Sequence, residues 1–371
     1  MIGIHCCGKS VMLELIEREL TEFGVSPTQF VSINFEDMNF IWDTIQKQQI
    51  VFHPEIAPTG RIDYQKFFAS KRKKPFILVF DRNIFSSLLK FCERGCLKSK
   101  EEVQLVGLIM TWAELNDSGI SAGLAVKERA SQLKSQEEGL IEIQKFQEII
   151  DAYPGQMWLR VAEGQITEIP PITYSQKQAQ NITVDYSDSG DHYDMAVASL
   201  LHAVRLYRNH TTKPVDKVLE FYKWMCKHLL ISEYLLVYVT MLFTEQANIK
   251  APKHANSNDI HRIIAGCENQ AWDIAYLTNW STLYANTEEY DEEFLFATND
   301  ILLKRIFVQK NAPNGLNGLL YRVFPKKDYN YLLDCIEDIM KSRVKPDFGE
   351  NHHLYFQKLI EEEIQQLTIE C

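Results

Sequence analysis

Two short runs of β-prone apolar residues constrain the fold of this chain most strongly. Residues 76–80 are Phe-Ile-Leu-Val-Phe, and residues 294–297 are Phe-Leu-Phe-Ala. Strands that are apolar on both faces are typical of parallel sheets, in which helices cover both sides. Apolar residues at helical spacing between these runs predict helices at about 84–93, 101–115, 121–133, 138–152 and 258–284. The alternation of strands and helices predicts an α/β fold with a parallel sheet.

Length and composition limit the class of protein. Of 371 residues, 46% are apolar and 24% are charged, which is typical of a globular protein and excludes a disordered or collagen-like chain. The length predicts two domains, or one domain with a large insertion. Eight scattered cysteines and an interrupted apolar start predict a cytoplasmic protein with reduced thiols. The most apolar stretch, 229–243, contains Glu233 and is too short for a bilayer, so we expect no membrane partner.

Each of the two predicted strands is followed by an aspartate. Asp81 comes directly after the first strand, and Asp300 lies three residues beyond Ala297, where the second strand ends. In open parallel sheets, ligands bind outside the carboxyl ends of the strands. Aspartate is also a common helix cap. The spacing therefore leaves a ligand-binding role and a capping role open for both residues.

Two further acids are candidates for the same edge of the sheet. Glu128 shares the apolar side of its predicted helix, so its carboxylate needs either a basic partner or a coordinated ion. Asp273 lies away from the centre of the apolar stripe on the 258–284 helix. Spacing alone therefore predicts that Asp273 is a solvated charge.

The surroundings of these acids resemble the motifs of PIN-like nucleases. Residues 80–85, Phe-Asp-Arg-Asn-Ile-Phe, resemble the opening motif, in which a first strand delivers an Asp followed closely by Asn. Residues 272–275, Trp-Asp-Ile-Ala, resemble the later helix-borne Asp of the family, and residues 296–300, Phe-Ala-Thr-Asn-Asp, resemble its Thr-x-Asp ending. Glu128 would supply the middle acid, with Glu114 as the alternative.

The resemblance covers about 76–130 and 258–310 and implies a specific site. Asp81, Glu128, Asp273 and Asp300 would be catalytic metal ligands. Because 145 positions separate Glu128 from Asp273, the helices between them would be an insertion. Oxygen ligands without a His or Cys cluster suit Mg²⁺ or Mn²⁺. The prediction is therefore metal-dependent cleavage of RNA. Many PIN-like nucleases are toxins or defence effectors, which implies a possible protein partner such as an antitoxin or a defence component.

Basic residues near the predicted site would bind the RNA backbone. The candidates are the 71–74 run with Lys73 and Lys74, together with Arg82, Lys127, Arg129 and Lys304. A lysine-rich run directly before an aggregation-prone strand is equally typical of a solvated gatekeeper. The sequence leaves both roles open for residues 71–74.

A complete P-loop pattern stands at the start of the sequence. Gly3, Gly8, Lys9 and Ser10 fit the pattern G-x4-G-K-[ST], which cradles phosphates and Mg²⁺. Residues 3–38 resemble the opening of bacterial AAA-type ATPases, which reach an Asn-Phe-Glu-Asp strand. Only Met1 and Ile2 precede the loop, and no strand ending in Asp-Glu follows. We therefore expect a truncated ATPase-like fragment, with ATP binding as the alternative. A third possibility is a non-catalytic interaction protein that docks through helices at 193–248.

These interpretations divide the chain into predicted segments. The class is α/β, a parallel-sheet PIN-like domain with a large, mainly helical insertion and a helical C-terminal tail. The segments are a P-loop ATPase-like fragment at 1–47, a linker at 48–74, the two parts of the PIN-like domain at 75–154 and 257–312, the insertion at 155–256 and the extension at 313–371. Of the net charge of −11, −8 falls within residues 256–300. This acidity is compatible with a metal-holding edge.

Overall fold

Four strands form one mixed sheet in the computed structural model, which describes residues 34–175 and 184–370. They are β1 (Val51–Phe52), β2 (Phe76–Phe80), β3 (Gly119–Ser121) and β4 (Glu293–Ala297). The spatial order is β1-β4-β2-β3, with β2 parallel to both β3 and β4 and β1 antiparallel to β4. The α/β class is confirmed, but the sheet is mixed because of β1.

Fifteen α-helices accompany this sheet in the described part of the chain. Those before residue 184 are α1 (Phe35–Gln48), α2 (Tyr64–Lys71), α3 (Arg82–Arg94), α4 (Lys100–Leu115), α5 (Gly123–Leu133), α6 (Gln136–Ala152) and α7 (Gly155–Ala162). Those after it are α8 (Asp191–Arg208), α9 (Pro214–His228), α10 (Glu233–Phe243), α11 (Ile260–Ala285), α12 (Ile301–Lys310), α13 (Gly315–Val323), α14 (Lys326–Ser342) and α15 (His352–Glu370). Over the described ranges, every helix lacks the length or the apolar character needed to cross a bilayer.

The two faces of the sheet belong to two hydrophobic cores. Leu78 and Leu295 pack with residues of α1 to α7. Val79 and Phe296, their neighbours along the strands, pack with residues of α8 to α15. Successive side chains of a strand point to opposite faces, so a continuously apolar strand supplies both cores. This explains why residues 76–80 are apolar throughout.

The segments predicted to be a linker and an insertion contribute to these cores. Residues 48–74 contain β1 and α2, and Val51 and Phe67 are buried. From the 155–256 segment, α7 packs against α4. Phe221 and Tyr238, on α9 and α10, lie in the same core as Phe296. The middle helices therefore form part of the layer that covers the sheet.

The beginning of the described chain differs from the ATPase-like expectation. Asn34 caps α1, and its side-chain oxygen accepts a hydrogen bond from the Asp37 backbone N–H at 2.8 Å. Residues 35–37 are therefore the first turn of a helix and not part of a strand. The P-loop residues Gly3, Gly8, Lys9 and Ser10 lie outside the described residues.

Candidate carboxylate site at the carboxyl edge of the sheet

The parallel strands bring their carboxyl ends to one edge of the sheet. In the β2–β4 register, Phe80 lies opposite Ala297, and the Asp81 N–H donates to the Ala297 carbonyl at 3.0 Å. Asp81 begins α3 and Asp300 begins α12, so both aspartates lie at this edge. The third parallel strand, β3, leads at the same edge into α5, which carries Glu128.

Asp81 is 1% exposed and is held by two hydrogen bonds. Its Oδ1 accepts from the Ile84 N–H at 2.8 Å, and its Oδ2 accepts from the Thr298 hydroxyl at 2.5 Å. The Thr298 oxygen in turn accepts from the Asp300 N–H at 2.9 Å. Asp300 Oδ1 accepts from two amides of α12 at 2.7 and 3.0 Å. Both aspartates are therefore helix caps, and Thr298 links them across the edge.

Asp273, on α11, lies near the carboxylates of Asp81, Glu128 and Asp300. It is half-buried, and it interacts electrostatically with Asp300, Glu128 and Asp81. Burial raises the pKa of Asp273 well above its usual value, and the three neighbouring carboxylates raise it further. The stripe-based prediction of a solvated Asp273 is therefore wrong, because the contacts that enclose it come from other elements.

The loop before α11 comes close to this helix. A Cβ atom on Gly266 would lie 1.9 Å from the Lys253 carbonyl oxygen, so only glycine fits there. The Lys253 charge opposes the rise in the Asp273 pKa.

The pKa values of Asp81 and Glu128 are also raised. Burial raises the pKa of Asp81 to about 6, against hydrogen bonds from Thr298 and Ile84, and the Asp300 charge adds to the rise. Burial raises the pKa of Glu128 to about 7, and the Asp81 charge adds to the rise, although the hydrogen bond from Tyr276 and the Arg82 charge oppose it. Burial is therefore the main cause of both raised pKa values, and the neighbouring carboxylates add to it.

Of the two candidates for the middle acid, Glu128 lies in this group. Glu114 lies at the end of α4 beside the first residue of α7, where a Cβ on Gly155 would meet both carboxylate oxygens at 2.1 Å. A carboxylate at a helix N-terminus is stabilised by the helix dipole. Glu114 therefore has a local structural role, while Glu128 interacts with Asp81 and Asp273.

The predicted backbone-binding residues have different surroundings. Arg82 donates to both oxygens of Glu142 at 2.6 and 2.8 Å and to the Ala125 carbonyl at 3.1 Å, so its guanidinium ties α3 to α5 and α6. Lys127 on α5 lies against the start of α8, where a Cβ on Gly190 would be 2.9 Å from its Nζ.

Lys304, on α12, lies near the two aspartate caps. Its Nζ donates to the Gln48 carbonyl at 3.0 Å and to Asn299 Oδ1 at 2.9 Å, and its charge interacts with Asp81 and Asp300. Arg129 is exposed on α5.

Lys73 and Lys74 lie at the opposite edge of the sheet. They precede β2, whereas Asp81 follows it, and a five-residue strand is about 16 Å long. The Lys74 Nζ donates to the Tyr290 carbonyl at 2.6 Å. These lysines therefore lie at the other end of β2 from Asp81, and their binding of the RNA backbone stays a prediction.

The donor set of the site consists of carboxylate oxygens, which suit a hard divalent cation. As the described side chains stand, no three His, Cys, Asp or Glu residues converge closely enough to hold a metal ion. Asp81 and Asp300 are turned toward backbone amides, and Glu128 Oε1 accepts from the Gln132 amide at 3.3 Å. Coordination of a cation therefore requires at least one carboxylate to change its partner.

One polar residue of the site, Tyr276, was not predicted from the sequence. Tyr276 is 3% exposed, lies one turn after Asp273 on α11, and interacts with Glu128 and Asp81. The signal that could have found it is the spacing, because residues three apart share a helix face.

Comparisons of the chain with known protein families, with curated protein sequences and with solved structures find no match.

Proposed function

We propose that this protein is a metal-dependent endoribonuclease of the PIN-like type, which cleaves RNA phosphodiester bonds at the carboxyl edge of its sheet. One observation supports this function above the others. Four separate elements bring Asp81, Glu128, Asp273 and Asp300 into electrostatic contact, and the pKa values of the first three are raised. Clustered carboxylates with insufficient positive charge gain most from a divalent cation.

In this proposal, the carboxylates would hold a cation and Lys304 would attract the substrate phosphate. A bound Mg²⁺ or Mn²⁺ would polarise the phosphodiester and favour ionisation of the attacking water. Asp81, fixed by Thr298, is the most rigid ligand, whereas Glu128 and Asp273 are more accessible to solvent and to substrate. Lys304 places an ammonium group beside Asp81 and Asp300, where it can attract a phosphate.

The test is cleavage of single-stranded RNA by the full chain in Mn²⁺. We expect Asp81→Asn to reduce the rate at least about 100-fold, because the substitution removes a rigid anionic ligand. Glu293→Gln is the control, since Glu293 is a half-buried acid of the sheet that lies at the other end of the strands. Circular dichroism checks that both variants fold. Equal rates in wild type and Asp81→Asn contradict the proposal.

The remaining predictions depend on this function or lie outside the described chain. A role as a toxin or defence effector, with a protein partner, is a proposal that follows from nuclease activity. ATP binding by Gly3, Gly8, Lys9 and Ser10 stays a prediction.

A further inference from the structure

The C-terminal helix α15 carries a carboxylate in the middle of its buried stripe. Phe356, Leu359, Glu363 and Leu367 recur at three- and four-residue spacing, and each is at most 5% exposed. Residues at this spacing share one face of a helix, and α15 packs most closely against α8. A buried carboxylate needs a partner that offsets its loss of solvation. The contact between α8 and α15 therefore depends on what faces Glu363.

Two basic residues of α8, His202 and Arg205, face Glu363. His202 Nδ1 lies 3.1 Å from Glu363 Oε2, and Arg205 Nε lies 3.6 Å from the same oxygen. Arg205 Nη2 also lies 3.1 Å from His202 Nδ1. The His202 ring is 1% exposed and stacks on Trp224 of α9, with the ring centroids 4.4 Å apart. His202, Arg205 and Glu363 are termed the α15 triad.

The His202 ring can satisfy only one of its two neighbours in the α15 triad at a time. With a proton on Nδ1 it donates to Glu363, and this N–H then faces an N–H of Arg205. With the proton on Nε2 it accepts from Arg205, but Nε2 is buried and has no hydrogen-bond partner among the described residues. A second proton would add a buried positive charge beside a guanidinium, with one carboxylate shared between the two cations. Burial lowers the pKa of His202, and the Arg205 charge lowers it further, against the hydrogen bond and the charge of Glu363.

We propose that the α15 triad is an acid-sensitive latch, in which protonation of His202 weakens the contact between α8 and α15 and allows α15 to open. Opening of one helix is a local event that needs less free energy than global unfolding. A histidine whose pKa is lowered by folding binds its proton more tightly after opening. The contact is therefore complete above pH 6.5, the ordinary pKa of histidine, and weakens as the pH falls below it. The inference is independent of the proposed function, because the α15 triad contains none of the four acids of that site.

Two titratable residues of α9 also face His202. The Glu220 charge favours the protonated form of His202, and the His228 charge opposes it. Burial lowers the pKa of His228 as well, so His228 needs a control of its own.

Two further histidines join α15 to α8, at the start of α15. His352 and His353 lie 3.0 and 2.9 Å from carboxylate oxygens of Asp191 and Asp194. Both histidine side chains are at least half exposed, so these ion pairs contribute little. Protonation of either histidine would strengthen its pair with an aspartate, which is the opposite of the effect expected for His202.

The experiment measures hydrogen–deuterium exchange of the full chain at pH 5.5 and pH 7.5, on peptides from residues 352–370. The rates are corrected for the intrinsic effect of pH on exchange. We expect the opening of α15 in wild type to rise at least about threefold at pH 5.5, while β2 keeps its protection. His202→Gln should remove this rise, because an amide gains no proton in this range.

A second variant tests the latch without changing the buried ring. Arg205→Gln removes the guanidinium that repels protonated His202, so the acid-induced rise should disappear. The Arg205 side chain is 25% exposed, and this variant tests the inference even if His202→Gln does not fold. The matched controls are His353→Gln, in the same helix contact, and His228→Gln, on α9, and both should keep the rise.

Three outcomes would overturn the latch. The first is equal opening of α15 at both pH values in wild type. The second is an acid-induced rise that persists in His202→Gln or in Arg205→Gln. The third is a rise that α15 shares with β2, because that pattern indicates global unfolding and not the release of one helix.

Discussion

The two ends of the sheet place buried acids in opposite electrostatic situations. At the amino edge, Glu293 begins β4, where His53 Nε2 lies 3.1 Å from one carboxylate oxygen and the Ser70 hydroxyl donates to the other. Backbone N–H groups of residues 55 and 56 donate to His53 Nδ1, which leaves the proton on Nε2, facing Glu293. Burial alone raises the pKa of Glu293, but His53, Ser70 and Lys74 outweigh it, and the pKa lies below its usual value.

At the carboxyl edge, the partners of the buried acids do not offset the rise in pKa that burial causes. Asp81 receives hydrogen bonds from Thr298 and Ile84, yet burial and the Asp300 charge still raise its pKa to about 6. The partners differ, because Glu293 has His53 and Ser70 as donors and the Lys74 charge nearby, whereas Asp81 has the Thr298 hydroxyl and a neighbouring carboxylate, Asp300. An internally compensated acid stabilises the fold, and an uncompensated cluster is typical of a ligand site. This contrast is the electrostatic support for the nuclease proposal.

The largest expected effect is a difference in unfolding free energy between a variant at the amino edge and one at the carboxyl edge. We expect Glu293→Gln to lower the free energy of unfolding by about 3 kcal/mol, because an amide offers one acceptor oxygen where the carboxylate offers two, so either His53 or Ser70 loses its charged acceptor. Asp81→Asn should change it by less than about 1 kcal/mol at pH 8, since relief of repulsion offsets the weaker helix cap. Urea unfolding without divalent cations measures both values. Equal losses would contradict the contrast between the edges.

The next effect concerns pH. The pKa of Asp81 rises from 3.8 to about 6 on folding, and that of Glu128 from 4.5 to about 7, so the folded protein binds these protons more tightly. Their contribution to stability is therefore complete below pH 4 and is lost as the pH rises through 6 to 7. We expect about 3 kcal/mol of this decline to be absent in Asp81→Asn. Urea unfolding between pH 4 and 8 tests it, and parallel curves for the two proteins would contradict it.

The smallest effect concerns the link between the two aspartate caps. Thr298→Val removes the hydroxyl that donates to Asp81 and accepts from the Asp300 N–H, so we expect a loss of about 1 kcal/mol in unfolding free energy. Because the Thr298 hydrogen bond lowers the Asp81 pKa, that pKa should also rise above about 6. Carbon-detected NMR titration of the aspartates measures it. Thr298→Ser keeps the hydroxyl and should retain the wild-type value.

The ends of the predicted strands indicated where two residues of the site lie. Asp81 and Asp300 were located because a continuously apolar run marks a central strand, and the residue after such a strand lies at a known edge. The same rule applied to residues 71–74 would have placed Lys73 and Lys74 at the far edge, since they precede β2.

What the sequence did not predict depends on packing between distant elements. Asp273 lies away from the apolar stripe of its own helix, and its burial comes from contact with other parts of the fold. The choice of Glu128 over Glu114 likewise depends on which helix follows β3 at the carboxyl edge. The insertion predicted at 155–256 stays a prediction, and α8 to α10 pack in the same core as Val79 and Phe296, which the sequence pattern does not assign to them.

The two-residue strand β1 limits pairing of the sheet with another copy of the chain. β1 pairs with the outer side of β4, and the pairing continues where the Thr298 N–H donates to the Ile50 carbonyl at 3.0 Å. A strand left open at that side offers unpaired N–H and C=O groups, which template pairing between chains. A protein that begins at residue 75 would retain β2, β3 and β4 but lose this cover. Residues 50–52 therefore cover the outer side of β4.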